Sequence, residues 1–316
     1  MNELGNERVP FLFIIDFLSK TPIVLSLNQI IRHEILYSLN GETNVDLAEF
    51  KLPATNLMFD LTPISYDYYE RCYQKIQSEI AYGNTYLLNL TFPTEIGMNW
   101  SLRDVFDNSK AKYKLLYKDQ FTVFSPETFI KISDGRIYSY PMKGTIDGEI
   151  PDAESIILAD EKETAEHFTI VDLIRNDLNM VATEVKVDKF RYIDKLLTDQ
   201  GSILQVSSQI SGKMEADWQS KIGEIIFKLL PAGSISGAPK ERTVEIIQNT
   251  EEYERGYYTG IMGIFTGDTL DSGVMIRFIE KTDEGFVFKS GGGITSKSDV
   301  IKEYNELIQK IYVPII

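Results

Sequence analysis

The sequence predicts a large α+β fold of stacked, mainly antiparallel sheets flanked by helices, and three observations lead there. Strand-like apolar runs arrive in clusters, often as neighbouring pairs. Helical periodicity is interspersed among them without a regular βαβ alternation, which argues against a doubly wound sheet. The composition, 43% apolar and 25% charged, is that of a folded globular chain. No repeat, low-complexity stretch or Pro/Gly-rich linker marks a boundary, so residues 1–316 are read as one domain.

Taken in order, apolar runs predict strands over 11–17, 22–27, 86–92, 121–124, 129–132, 136–140, 203–210, 261–266, 274–280 and 286–289. Apolar positions recurring three and four apart predict helices over 66–82, 162–178, 218–229, 242–248 and 298–311.

Charge and cysteine narrow the function. The chain carries 32 Lys+Arg against 47 Asp+Glu, a formal charge of −15. Such an acidic balance lacks the basic footprint of a nucleic-acid binder. One cysteine, Cys72, cannot form an internal disulfide, which fits a reducing compartment. No signal-peptide pattern and no apolar stretch near the roughly 20 residues of a membrane span are visible. A cytoplasmic location is expected, with neither membrane nor nucleic acid as partner.

Two helices carry carboxylates in unusual places. At 100° per residue, Glu163, Glu166, Ile170, Leu173, Ile174 and Asp177 share one arc of the 162–178 helix. Glu163 and Glu166 therefore extend a core-facing stripe, where a carboxylate needs a cation or donors. A plainer reading makes Asp160 an N-cap and Glu163 its capping-box partner. In the last helix Val300, Ile301, Tyr304, Leu307, Ile308 and Ile311 form the predicted apolar face, with Glu303, Glu306 and Lys310 beside it. A turn is predicted at Ser290-Gly291-Gly292-Gly293-Ile294, whose N–H groups could approach an anion. Two all-oxygen carboxylate pairs suit Mg²⁺, which takes few protein carboxylates and keeps sites for water and substrate. With His33, His167 and Cys72 as the whole complement of histidine and cysteine, a zinc site is not expected.

Two further segments suggest chemistry. Pro231-Ala232-Gly233-Ser234-Ile235-Ser236-Gly237-Ala238-Pro239-Lys240 precedes a helix and has an anion-cradle composition, although it is not a Walker loop. In Pro141-Met142-Lys143-Gly144-Thr145 a lysine follows a strand, and Glu127 of Ser125-Pro126-Glu127-Thr128-Phe129 stands sixteen positions earlier (143 − 127). By spacing alone, such a lysine is equally a solvated one.

Together with Gly83-Asn84-Thr85-Tyr86-Leu87-Leu88-Asn89-Leu90-Thr91, Ala165-Glu166-His167-Phe168-Thr169-Ile170-Val171-Asp172-Leu173-Ile174-Arg175-Asn176-Asp177 and Arg255-Gly256-Tyr257-Tyr258-Thr259-Gly260, these segments resemble the chorismate-utilising enzymes, from about Tyr66 to the C-terminus. The resemblance implies two stacked antiparallel sheets with helices outside, and a Mg²⁺-dependent reaction of chorismate. Lysine at 143, where anthranilate synthases carry alanine, makes the chain similar to the lysine-type aminodeoxychorismate synthases, whose chorismate-binding component is implied here.

The resemblance also implies roles. Glu166 and Glu306 would hold Mg²⁺ on the ring carboxylate, with Glu163 and Glu303 nearby. Lys310 and the backbone of Gly291, Gly292 and Gly293 would bind the same carboxylate. Arg277 and Tyr258 would bind the enolpyruvyl carboxylate, with Ser236 and Gly237 adding loop contacts. Lys143 would attack C2 while Glu127 protonates the departing C4 hydroxyl, and ammonia would then add at C4 and expel the lysine from C2. A separate glutaminase would supply that ammonia.

The chain departs from the family in three places. Gln205-Val206-Ser207-Ser208 stands where H-x-x-S is usual, so Gln205 would contact substrate but could not move a proton. Leu87 replaces the usual glutamine of the Y-Q-V-N-L block and excludes the water-activating lysine of isochorismate and salicylate synthases. The N-terminal region, about 1–65, is short, and strong tryptophan regulation is not expected. Two alternatives stay open: an anthranilate synthase component, and a non-catalytic chorismate-binding regulatory subunit.

Overall fold

The structure, a computed structural model, describes residues 1–46, 53, 55–198 and 201–315. Part of the N-terminal region, 47–52 and 54, lies outside the described residues. Strands pair antiparallel into two sheets with helices around them, the α+β architecture the sequence predicts. The chain interleaves two compact units. One comprises Met1–Pro10, Thr128–Ser234 and Phe265–Asp271; the other comprises Phe11–Glu127, Ile235–Ile264 and Ser272–Ile316.

In the first unit the long strand Gly201–Lys213 is central. It pairs with Arg136–Ser139 and Met142–Asp147, and Arg136–Ser139 pairs in turn with Thr128–Ser133. The strand Thr183–Thr198 also lies on it, with register shifts at three points. Left-handed backbone at Glu184 and Arg191 accompanies those bulges. A bulged strand with none of residues 183–195 buried has no clean period of two, and the sequence did not reveal it. Helix Glu161–Asn179 starts on Asp160, whose side chain accepts from Glu163 N at 2.8 Å. The predicted 218–229 helix divides into a 3₁₀ turn, Trp218–Lys221, and an α-helix, Ile222–Leu229.

The second unit explains its own layering by alternation. Along Ile35–Leu39, Tyr113–Tyr117 and Phe121–Ser125, the residues Ile35, Tyr37, Leu39, Tyr113, Leu115, Phe121 and Val123 enter one apolar cluster with Leu12, Ile14, Met262 and Ile264. Their neighbours Leu36, Leu116 and Phe124 turn to the opposite face, against Trp100, Leu102, Val105 and Phe106. Both faces are therefore buried, at about 1.5–3 kcal/mol per large side chain. The strand Gly285–Thr295 pairs with Leu87–Met98 through Thr295 and with Phe278–Thr282 only as far as Lys289. Among the described residues no helix is long and apolar enough to cross a membrane.

One buried charge tests the electrostatics of this unit. Lys114 points into the side covered by helix Leu102–Asn108, and its Nζ donates to Ser109 O at 3.0 Å and lies over the Phe106 ring. Burial pushes its pKa down to about 8, with the Asp107 carboxylate opposing. Between about pH 8 and 10.5 the unfolded chain then binds more protons than the folded one, so unfolding free energy rises with pH in that window. Denaturant titrations should show a rise on the order of 3 kcal/mol in wild type relative to Lys114→Met. Parallel curves for the two proteins would refute the buried, depressed lysine.

Candidate active site

In the first unit, Lys143 and Gln205 lie on adjacent strands and the two glutamates on helix Glu161–Asn179. Lys143 Nζ stands 2.7 Å from Glu166 Oε2, and Glu166 is buried on the helix face that also buries His167, Ile170 and Asp177. Glu163, one turn earlier, gives its N–H to the Asp160 cap at 2.8 Å, while its Oε2 would lie 3.0 Å from a Cβ placed on Gly144, beside the lysine. Gln205 sits on the neighbouring strand, in register with Thr145. Beneath this group His167 is fully buried, its Nε2 2.7 Å from Ser208 Oγ, which also accepts from Arg191 N at 3.0 Å. Burial first, and the Arg191 charge second, push the imidazole down to about 4, so the ring is neutral at physiological pH.

In the second unit, Tyr258 is buried and its hydroxyl is pushed far up by burial, with the Glu127 and Glu251 charges adding and Arg255 and Arg277 opposing. It stays a neutral donor, within electrostatic reach of Glu127 and Arg277. Glu127 follows Phe121–Ser125; its N–H donates to Ser125 Oγ at 3.1 Å and its carbonyl accepts from Val274 N at 3.1 Å. Arg277 corrects the predicted 274–280 strand: left-handed backbone (φ 54°) at this residue separates Leu270–Val274 from Phe278–Thr282. Its guanidinium lies 5.2 Å from the centre of the Tyr312 ring.

The predicted glycine turn is also corrected. Gly291, Gly292 and Gly293 are strand residues, in register with Thr91, Leu90 and Asn89. They continue past the end of Phe278–Thr282 and so form a stretch of strand edge paired on one side. Gly291 O accepts from Lys310 Nζ at 3.0 Å, and the same ammonium pairs with Glu306 Oε1 at 2.7 Å. Glu303 lies close to Gly292. The apolar face of this helix, Val300–Gln309, is rotated from the prediction: Ile301 is 58% exposed and Glu303 4%. A glycine opposite leaves room for the carboxylate.

Ser236 is fully buried and Gly237 pairs with Leu88. Gly237 has φ 127°, and a Cβ there would fall 1.8 Å from Leu87 O. Gly237→Ala should therefore lose about 3 kcal/mol or more in denaturant unfolding, from strain plus collision. Gly285, with φ 137° and nothing within 4 Å, isolates the strain alone, about 1 kcal/mol. Equal midpoints for the two alanine variants would contradict this close approach.

Each unit thus carries one pair of glutamates with a lysine against it: Lys143 on Glu166, and Lys310 on Glu306. Sequence reasoning placed these residues but missed the supporting groups, His167 with Ser208 and Arg255 with Glu251. The last pair had a signal, opposite charges four apart. Among the described residues no group of three or more His, Cys, Asp or Glu is gathered to hold a metal ion. Pairs of carboxylates nevertheless fit the oxygen chemistry of Mg²⁺, which commonly uses one or two and completes its shell with substrate and water.

Comparison with known proteins adds the following. A family model described as chorismate binding enzyme matches residues 37–315. The chain is 51% identical over 314 residues to the "Uncharacterized PabA-like protein" of Haemophilus influenzae, covering 99% of this chain and 95% of that one. It is 30% identical over 265 residues to "Aminodeoxychorismate synthase component 1" of Bacillus subtilis, covering 79% of this chain and 55% of the relative. A solved structure described as a putative 2,3-dihydroxybenzoate-specific isochorismate synthase from Bacillus anthracis shares the fold, with TM-score 0.72 at 17% identity over 98% of this chain and 86% of that one.

Proposed function

The chain belongs to the chorismate binding enzyme family, and from that premise we propose that it aminates chorismate to 4-amino-4-deoxychorismate, as the chorismate-binding component of an aminodeoxychorismate synthase. One observation carries the reading: a primary amine, Lys143, is held against the buried carboxylate of Glu166 at 2.7 Å, at the position where the anthranilate-forming pattern has alanine. A binding subunit would have no use for a nucleophile there.

The residues take these roles. Lys143, as the neutral amine, attacks C2, and electron pairs shift round the ring to C4. Glu127 gives its proton to the C4 hydroxyl, which departs as water, since hydroxide is a poor leaving group. Ammonia then adds at C4, the electron shift reverses, and Lys143 leaves from C2. Glu166 Oε2 is within hydrogen-bond reach of the proton that the Lys143 ammonium must shed first. Arg277 and the neutral Tyr258 bind the enolpyruvyl carboxylate, with Ser236 and Gly237 beside them. Lys310 and the edge of Gly291, Gly292 and Gly293 bind the ring carboxylate, and Gln205 offers its amide as a contact without proton transfer. The carboxylate pairs Glu163 with Glu166 and Glu303 with Glu306 are the groups that would hold Mg²⁺, which when bound would neutralise the ring carboxylate and draw electron density from the ring.

Ammonia comes from a separate glutaminase in this proposal. The single cysteine cannot serve as a glutaminase nucleophile, because Cys72 is buried, its Sγ contacts Thr250 O at 3.7 Å, and burial raises its pKa. Incubation with chorismate, Mg²⁺ and ammonium salt, with products identified by mass, tests the reading. Aminodeoxychorismate supports it; anthranilate with pyruvate, isochorismate, or no turnover each contradicts it.

A further inference from the structure

Arg255 is placed by its own geometry at a junction of three chain segments. Its side chain is 2% exposed and that of Glu251 1%. All five N–H groups of the guanidinium are engaged. Nε donates to Glu251 Oε2 at 2.8 Å and Nη2 to Glu251 Oε1 at 2.6 Å, a two-point pairing. Nη2 also reaches Asn89 O at 2.6 Å, and Nη1 reaches Ile235 O at 3.1 Å and Thr259 Oγ1 at 3.2 Å. The Phe17 ring closes one face, 4.5 Å away. Glu251 is tied further, accepting from Thr91 N at 2.8 Å and Thr91 Oγ1 at 2.9 Å.

Each of the three contacts outside the ion pair lies next to a residue of the proposed anion-binding lining. Ile235 precedes Ser236 and Gly237. Asn89 is in register with Gly293. Thr259 follows Tyr258, and it holds φ 61°, an uncommon conformation for a β-branched residue that persists only where surroundings enforce it. Thr259 N donates to Met275 O and Met275 N to Gly260 O, both at 2.8 Å, which fixes the turn on its other side.

We infer that Arg255, through its five-point junction with Glu251, Asn89, Ile235 and Thr259, is a positioning residue that sets the register of Ser236–Gly237, Gly293 and Tyr258 for binding a carboxylate substrate; as a statement about chorismate, this rests on the reading above. A buried ion pair adds little stability over apolar residues of equal volume, so its yield here is geometry. A planar fork can hold three diverging acceptors and a carboxylate at once, which an ammonium cannot.

The test is Arg255→Lys, which keeps a positive charge for Glu251 but loses the fork, together with the milder Thr259→Val, which removes one acceptor at constant shape. Hydrogen exchange should quicken at least about tenfold for amides in 235–239 and 256–261 of Arg255→Lys. The strands Tyr113–Tyr117 and Phe121–Ser125 should be unchanged. The KM for chorismate should rise about tenfold or more with kcat within about threefold, since misplaced carboxylate-binding groups weaken ground-state and transition-state binding alike. Thr259→Val should shift the same quantities in the same direction by less. Unchanged local exchange and KM, or exchange that quickens uniformly over the molecule, overturns the inference. A wild-type protein that does not turn over chorismate defeats the substrate reading alone, and the exchange comparison then decides the junction by itself.

Discussion

Lys143→Ala is expected to lower chorismate amination by at least about 10³-fold, because it removes the atom that forms the covalent bond. Lys143→Arg should be almost equally inactive. It preserves positive charge beside Glu166, but a guanidinium stays protonated and cannot attack. The pair of variants separates two roles that the 2.7 Å contact leaves combined, charge balance for a buried carboxylate and nucleophilic attack. Steady-state rates with ammonium salt give the answer. Appreciable activity in Lys143→Arg would make the lysine an electrostatic residue and remove the adduct from the mechanism.

Glu306→Gln is expected to cost about 10²–10³ in kcat/KM and to raise the Mg²⁺ concentration for half-maximal rate at least about tenfold. The substitution is isosteric, and the ion pair it breaks with Lys310 is partly exposed, so stability should fall by no more than about 1 kcal/mol. Its thermal midpoint therefore serves as an internal control. Retention of the wild-type Mg²⁺ dependence would exclude Glu306 as a ligand and leave it as the partner of Lys310.

The sequence was readable wherever one physical signal acted alone. Phe11–Ile15, fully buried, and helix Glu161–Asn179, capped by Asp160, stand close to where apolar runs and caps predicted them. Reading failed where signals competed. Tyr113–Tyr117 carries Lys114 into the interior, so its pattern resembles a solvated segment until Ser109 O and the Phe106 ring are seen around the ammonium. Bulges erase the alternation of Thr183–Thr198. The Val300–Gln309 helix turned further than its apolar residues alone would direct, because the gap opposite Gly292 admits Glu303.

The same division holds at the site. Helical spacing revealed that Glu163 and Glu166, and Glu303 and Glu306, lie one turn apart. That Lys143 would meet Glu166 could not be read, since the contact depends on how the strand Met142–Asp147 lies against the helix. Arg255 and Glu251 were visible as opposite charges four apart, but their value lies in the acceptors around them, Asn89 O, Ile235 O and Thr259 Oγ1, which only the folded backbone assembles.

The covalent step is the centre of this account, and intact-protein mass spectrometry with peptide mapping addresses it directly. With chorismate and Mg²⁺ but no ammonia, the wild-type protein should gain the mass of chorismate less water, localised to Lys143, and should lose it when ammonium salt is added. An unmodified Lys143 under conditions in which the same preparation makes aminodeoxychorismate would contradict the account.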